Sequence, residues 1–205
     1  MNWPVDVISF HGYPSGTGTP ADRAAAIELT KADMKQANVP ASKELWDTEV
    51  NYGIKGPGSV PGRQITGATA AAWTAQTYLD NLLYGVDRAY WYYWYPQNNL
   101  LGITLQNGTP GAVGYQTAEN WITGSYYSCT AGSVNVCQLG DNNNPEVVVW
   151  SGKSGGTYTV PASATVQCDA LNTCTPVAPG STVTIGSMPL WFGTAAKNAL
   201  NQSGQ

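Results

Sequence analysis

Glu49 closes the apolar run of "LWDTEVNYG" (45–53) and is followed at once by Asn51, Tyr52 and Gly53. A carboxylate at the end of a buried strand can serve as nucleophile, base or acid once its neighbours fix its charge and direction. Candidates for that task end a second apolar run, "VDVISFHGYP" (5–14), in the form of His11 and Tyr13. An imidazole or phenol that hydrogen-bonds a carboxylate keeps it ionised and aimed. Asn51, Tyr52 and Trp94, the last from "YWYYWY" (90–95), are expected at the same mouth, where Trp94 would offer a flat apolar face. Each has a plainer alternative: a solvated strand-end Glu49, a satisfied strand-end His11, and a Trp94 that only packs. Residues two apart in a strand share a face, so Leu45, Asp47 and Glu49 are expected on one side and Trp46 and Thr48 on the other. With Trp46 beneath the helices, Glu49 would look into the interior, with Asp47 deeper on the same face and hydrogen-bonded to its neighbours.

The elements that must position these residues alternate. Strand 5–10 is apolar on both faces. Thr19-Pro20 opens an alanine-rich helix to about Asn38, with Pro at its first position and Asp22 in its first turn. Strand 43–50, a helix from about Gln64 to Tyr84, strand 87–95 and a helix from Thr109-Pro110 follow. This β-α-β-α-β-α order predicts parallel neighbours joined by crossovers, and such sheets place chemistry at the carboxyl ends of their strands. After Gly124 the helical pattern stops. Short alternating segments, "EVVVWSG", "TYTVPA", "ATVQC", "STVTIG" and "PLWFG", predict a small antiparallel β-domain over 125–205, a sandwich made rigid more by disulfides than by a large core. The division is therefore 1–124 and 125–205.

Composition narrows the partners. The chain has 205 residues, of which 11% are charged and 11% aromatic, with eight Trp and twelve Tyr. A polar, weakly charged surface carrying such rings suits a protein that meets sugars, and equally a secreted β-rich protein with an aromatic core. Net charge is −4 and the nine basic residues are scattered, which argues against nucleic acid and anionic membranes as partners. No apolar run approaches a bilayer span. One histidine and no C-x-x-C pair leave no zinc site, no metal and no cofactor expected. "DNNNPE" (141–146) reads as a turn rather than a calcium loop, and the sequons at Asn107 and Asn201 carry no role. Of three possible connectivities, Cys129–Cys137 with Cys168–Cys174 is the simplest, each bridge contributing about 2–3 kcal/mol in the chain-entropy model. Disulfides imply an oxidising compartment, although "MNWPVDVISF" has no signal-peptide pattern; a removed export signal or a start partway through a larger protein would explain it.

"VDVISFHGYP", "LWDTEVNYG", "RAYWYYW", "GITL" and "TPGAVGYQTAENWITGS" together resemble the C-terminal half of the catalytic barrel of clan A glycoside hydrolases, in particular secreted bacterial cellulase, xylanase and β-xylosidase types. The tail is similar to the small β-domain that trails such barrels. The resemblance implies an α/β plus β fold: about three β/α units, strands six to eight of a (β/α)8 TIM-type barrel, then an antiparallel β-sandwich. It implies Glu49 as the nucleophile of a retaining β-glycosidase, His11 and Tyr13 as polar residues closing strand six, and Trp94 as the aromatic platform of strand eight. A retaining site needs a second carboxyl group about 5–5.5 Å from the first. The family's proton donor follows an Asn on barrel strand four, a strand outside this chain. Hydrolysis would therefore draw its acid from elsewhere, and a second copy or a complementing chain is expected over the bare edges of the sheet. The alternative is a non-catalytic carbohydrate-binding protein or truncated remnant.

Overall fold

Thr19, Pro20 and Asp22 start α1 (Pro20–Gln36) as their types predict: the Asp22 carboxylate accepts from both the amide and the hydroxyl of Thr19, each at 2.8 Å, which also lowers its pKa. The computed structural model of the protein describes residues 3–56, 62–95, 100–124, 127–141, 144–151 and 155–198, with side chains at 141, 144 and 145 excluded. The Asn201 sequon, part of the loop at 52–62, and residues 142–143 of the turn expected at 141–146 lie outside the described residues. Gly85, at φ +65°, ends α2 (Gly67–Tyr84) in the left-handed conformation that glycine adopts without strain. Thr109 caps α3 (Pro110–Ile122) by accepting from Ala112 N, with Pro110 at the first position.

Strands β1 (Val7–His11), β2 (Glu44–Val50) and β3 (Arg88–Trp91) form a parallel sheet in that order, with α1 and α2 as the connections. The predicted alternation of elements thus holds, while three details differ. First, β1 is not covered on both faces: Ile8 and Phe10 pack with Ile27 of α1 and Leu45, whereas Ser9 and His11 are exposed. Second, β3 stops at Trp91 instead of running to Tyr95. Beyond it, Trp94 O accepts from Leu105 N and Thr104 Oγ1, so the aromatic run turns away to bond the 104–105 segment. Third, the faces of β2 are reversed over its first half. Leu45 and Asp47 are buried toward the helices, and Trp46 lies on the open face beside Tyr90 and beneath the Arg88 guanidinium, 4.8 Å from its ring centroid. A pleated strand leaves no choice about the rest, because once Leu45 fills the core under α1 the indole must point the other way.

The segment after Gly124 forms a six-stranded antiparallel sheet from β4 (Ser128–Thr130), β5 (Val134–Asp141), β6 (Asn144–Ser151), β8 (Val166–Asp169), β9 (Cys174–Pro176) and β11 (Leu190–Gly193), and a ribbon from β7 (Gly156–Thr159) and β10 (Thr182–Ile185). Its disulfides, Cys129–Cys137 and Cys168–Cys174, join directly opposed residues of β4/β5 and β8/β9. The sequence reading expected no large core here, and the sheet has one. Alternation sends Val148, Trp150 and Trp191 onto Ala71, Ala75 and Leu79 of α2 and Ala118 and Trp121 of α3, while Val147, Val149 and Phe192 face the ribbon, so the large sheet is buried on both sides. Small residues make the helical layer thin enough for this contact: a Cβ on Gly114 of α3 would stand 2.2 Å from the Ala71 carbonyl oxygen of α2. The antiparallel sheet therefore covers the outer face of the helices and leaves the open face of β1–β3 untouched.

Both buried indoles of that sheet donate to carboxylates. Trp191 Nε1 reaches Glu146 Oε2 at 2.9 Å, and Trp150 Nε1 reaches Asp80 Oδ1 of α2 at 2.9 Å. Asp80 is 1% exposed and its Oδ2 has no partner among the described residues. Burial pushes its pKa up to about 7, against the pull of Arg23 and of the Trp150 and Gln76 bonds. An unfolded Asp titrates near ~3.9, so between about pH 4 and 7 the folded state holds the proton more tightly and stability falls as pH rises. Below that window the cost of ionising Asp80 is absent. Asp80→Asn keeps the acceptor for Trp150 and cannot ionise. Its melting temperature is expected to gain on the parent's as pH is raised from 4 to 7; melting curves that shift in parallel across that range would disprove the assignment.

Candidate active site

Parallel strands put the ends of β1, β2 and β3 at one edge of the sheet, and the two motif residues of β1 meet Glu49 there. Tyr13 donates its hydroxyl to Glu49 Oε2 at 3.0 Å, and His11 Nδ1 lies 3.6 Å from the same oxygen. Burial first, then the hydrogen bond and charge of Glu49, raise the Tyr13 pKa far above that of a free phenol, so Tyr13 remains a donor at any physiological pH. The Glu49 side chain is 33% exposed and that of His11 58%, so the carboxylate is oriented yet reachable.

The turn of phase that frees Glu49 lies in the backbone. Burial alternates through Leu45 and Asp47 and resumes at Val50, and the pairing register slips both between Phe10 and His11 and between Asp47 and Val50. One extra residue at such an irregularity moves the following side chains to the opposite face. Glu49 thereby joins the open face although Asp47 does not.

Asp47 sits wholly inside, and both its oxygens are engaged. Oδ2 accepts from Arg23 Nε at 3.0 Å and Nη2 at 2.7 Å, and Oδ1 accepts from the Gly12 amide at 2.8 Å. Burial pushes its pKa up, while Arg23 and Gly12 pull it back. Arg23 is completed by Asn81 Oδ1 at 2.7 Å and the Thr77 carbonyl. The expectation that Asp47 bonds its neighbours holds; its place on the Glu49 face does not. The glycine of the His-Gly-Tyr motif also gains a reason, since a Cβ at Gly12 would lie 2.1 Å from Asp47 Oδ2. Asp47 thus anchors the backbone between His11 and Tyr13 from behind.

The remaining candidates go elsewhere. Asn51 is fully buried: its Nδ2 donates to the carbonyls of Tyr92 and Ile103 and its Oδ1 accepts from the amides of Tyr52 and Ile103, so it braces the end of β2 against two loops. Tyr52 is fully buried as well, its hydroxyl bonded to Thr77 and its ring packed on Trp73 and Trp91. Neither presents its side chain to the open face, because a chain leaving a strand end must satisfy its backbone groups, and Asn51 supplies those bonds. Trp94 packs on Tyr115 of α3 and lines a different cleft. The aromatic residue that does join the site is Tyr92, 37% exposed and edge-on to Tyr13 at 6.4 Å. Its signal was its place in the run: Arg88, Tyr90 and Tyr92 are two apart, and the first two share the open face with Trp46.

No family profile and no curated protein matches this sequence. Solved structures do match its fold. A conserved exported protein from Bacteroides fragilis aligns with a TM-score of 0.57 at 12% identity over 92% of this chain and 46% of its own. A family 51 α-L-arabinofuranosidase from Bifidobacterium longum gives 0.53 at 11% identity (92% and 53%), and a GH51 arabinofuranosidase from Xanthomonas axonopodis pv. citri 0.52 at 13% (92% and 52%). The chain is similar in fold to glycoside hydrolases. It spans about half the length of the structures it matches, and at such identities only the fold is shared.

Proposed function

We propose that the protein is a secreted, carbohydrate-directed chain of glycoside hydrolase type in which Glu49 attacks the anomeric carbon of β-linked oligosaccharides, with retention of configuration. Residues 1–124 correspond in this reading to three β/α units of an eight-stranded barrel and 125–205 to its trailing β-sandwich. The observation that carries it is the Glu49 carboxylate at the carboxyl end of a parallel sheet, held by the Tyr13 hydroxyl at 3.0 Å on a face lined by His11 and Tyr92. A phenol that donates to one carboxylate oxygen leaves the other for the sugar and favours the ionised form that nucleophilic attack needs. Two disulfides support an oxidising, extracellular setting, and among the described residues no helix is long and apolar enough to cross a membrane.

The proton donor lies outside the recognised motifs, since both Asp47 oxygens are engaged. β1 and β3 each pair only with β2 among the described residues, so their outer edges are open for a complementing β/α chain that would bring the second carboxyl group. Activated aryl glycosides bypass that need, because a nitrophenolate departs without protonation. Incubation with a 2,4-dinitrophenyl 2-deoxy-2-fluoro-β-xyloside or β-glucoside is therefore expected to leave one fluoroglycosyl group on the peptide that contains Glu49, read by mass spectrometry. Labelling at another residue, or none with either reagent, would overturn the assignment. The engagement of Asp47 also favours a second reading, a non-catalytic glycan-binding remnant, which predicts no label and retained binding to insoluble xylan or glucan.

A further inference from the structure

Trp94 is 43% exposed, a large apolar ring left in water in a cleft whose described lining does not include Glu49. It borders a cleft of about 550 Å³ between the first turns of α3 and the β8–β9 turn, a size within the roughly 300–1,000 Å³ range of small-molecule sites. We propose that this cleft is a second saccharide-binding site, distinct from the Glu49 face, for a neutral oligosaccharide. The choice of ligand class rests on the carbohydrate-directed reading above.

Three features fit that ligand. Trp94 is held edge-on by Tyr115 with ring centroids 6.0 Å apart, and its carbonyl is fixed by Leu105 N and Thr104 Oγ1 at 3.2 and 3.0 Å, so the indole is an ordered platform for the C–H face of a sugar ring. Around it stand the planar polar groups of Asn107, Gln116, Asn172 and Glu119: the amides of Asn107 and Asn172 can donate and accept, while the Gln116 carbonyl and the Glu119 carboxylate accept from sugar hydroxyls. Gln116 Nε2 already donates to Glu119 Oε2 at 2.9 Å, which fixes the direction of both groups. Among the described residues of the lining Glu119 is the charged group and no Lys or Arg accompanies it, so neutral sugars fit and uronates or phosphates are repelled.

Both walls are pre-formed, which reduces the ordering cost of binding. Thr109 caps one of them. The other is the turn in which Asn172 takes φ +59° while Asp169 Oδ1 accepts from the amides of Leu171 and Thr173, with Cys168–Cys174 closing its base.

Calorimetric titration of the Glu49→Gln protein with xylohexaose and with cellohexaose, at matched folding by thermal melt, tests this. Trp94→Ala in that background is expected to weaken binding of at least one hexasaccharide about tenfold or more, the effect of losing a stacking ring. Gln116→Ala, which removes no packed ring, should weaken the same ligand if Trp94→Ala misfolds, and polygalacturonate should not compete. Affinities unchanged by both substitutions, no binding of either hexasaccharide, or competition by polygalacturonate would overturn the second site. Failure of fluoroglycoside labelling at Glu49 with Trp94-dependent binding intact would instead sink only the catalytic reading.

Discussion

Glu49→Gln is expected to lower the initial release of nitrophenolate from 4-nitrophenyl β-glycosides about 10³-fold or more, as loss of a covalent nucleophile does, while the unfolding free energy changes by less than about 0.5 kcal/mol. The reasons for the two halves differ. Glutamine has the shape of glutamate and its amide oxygen still accepts from the Tyr13 hydroxyl, so the packing at the end of β2 is kept. What disappears is the negative oxygen that bonds to carbon. Because 4-nitrophenolate leaves unprotonated, the missing acid does not mask the effect, and initial rates on xyloside and glucoside suffice to read it. Equal rates in the two proteins would remove Glu49 from the chemistry. Activity absent from both, with glycan binding retained, would favour the non-catalytic reading.

Arg23→Ala is expected to cost about 3–5 kcal/mol of folding stability, the usual penalty for leaving half of a buried ion pair without its partner. Arg23 and Asp47 are both fully buried, and the guanidinium also satisfies Asn81 and the Thr77 carbonyl, so removal strands three polar groups on two elements, β2 and α2, at once. For a domain whose whole stability is about 5–15 kcal/mol, that is a large fraction. Urea denaturation gives the number. Replacing both partners, as in Arg23→Met with Asp47→Leu, should recover much of the loss, because no uncompensated charge remains. The double variant should still impair Glu49 chemistry: without the Asp47 carboxylate the Gly12 amide keeps only its bond to the Glu49 carbonyl, and the backbone carrying His11 and Tyr13 is held less firmly. An Arg23→Ala protein within about 1 kcal/mol of the parent would show that the pair contributes little.

Much of the architecture was legible because it is written in local periods. An alanine-rich run behind Thr19-Pro20 gave α1, the helical spacing of Tyr115, Ala118 and Trp121 behind Thr109-Pro110 gave α3, and the opening strand and "LWDTEV" gave β1 and β2 to within two residues. The strands β4, β5 and β9 were missed; β4 and β9 are three residues each, too short to carry alternation of their own. "YWYYWY" reads as strand by propensity throughout, yet only its first two residues pair, because the Tyr92 carbonyl takes the Asn51 side chain and the Trp94 carbonyl takes the 104–105 segment.

By itself the sequence determined which elements form, their order, and that Glu49, His11 and Tyr13 end neighbouring strands. It could do so because helix and strand periods and caps act over a few residues. Only the tertiary structure decided which way those side chains point. The register slips beside His11 and Glu49, the burial of Asp47 against Arg23, the loss of Asn51 to backbone bracing and that of Tyr52 to the core beside Thr77 all depend on residues 24 to 58 positions apart in the chain. Since a one-residue slip turns a strand's face over, contacts of that range and not local propensity set which groups meet at the edge of the sheet.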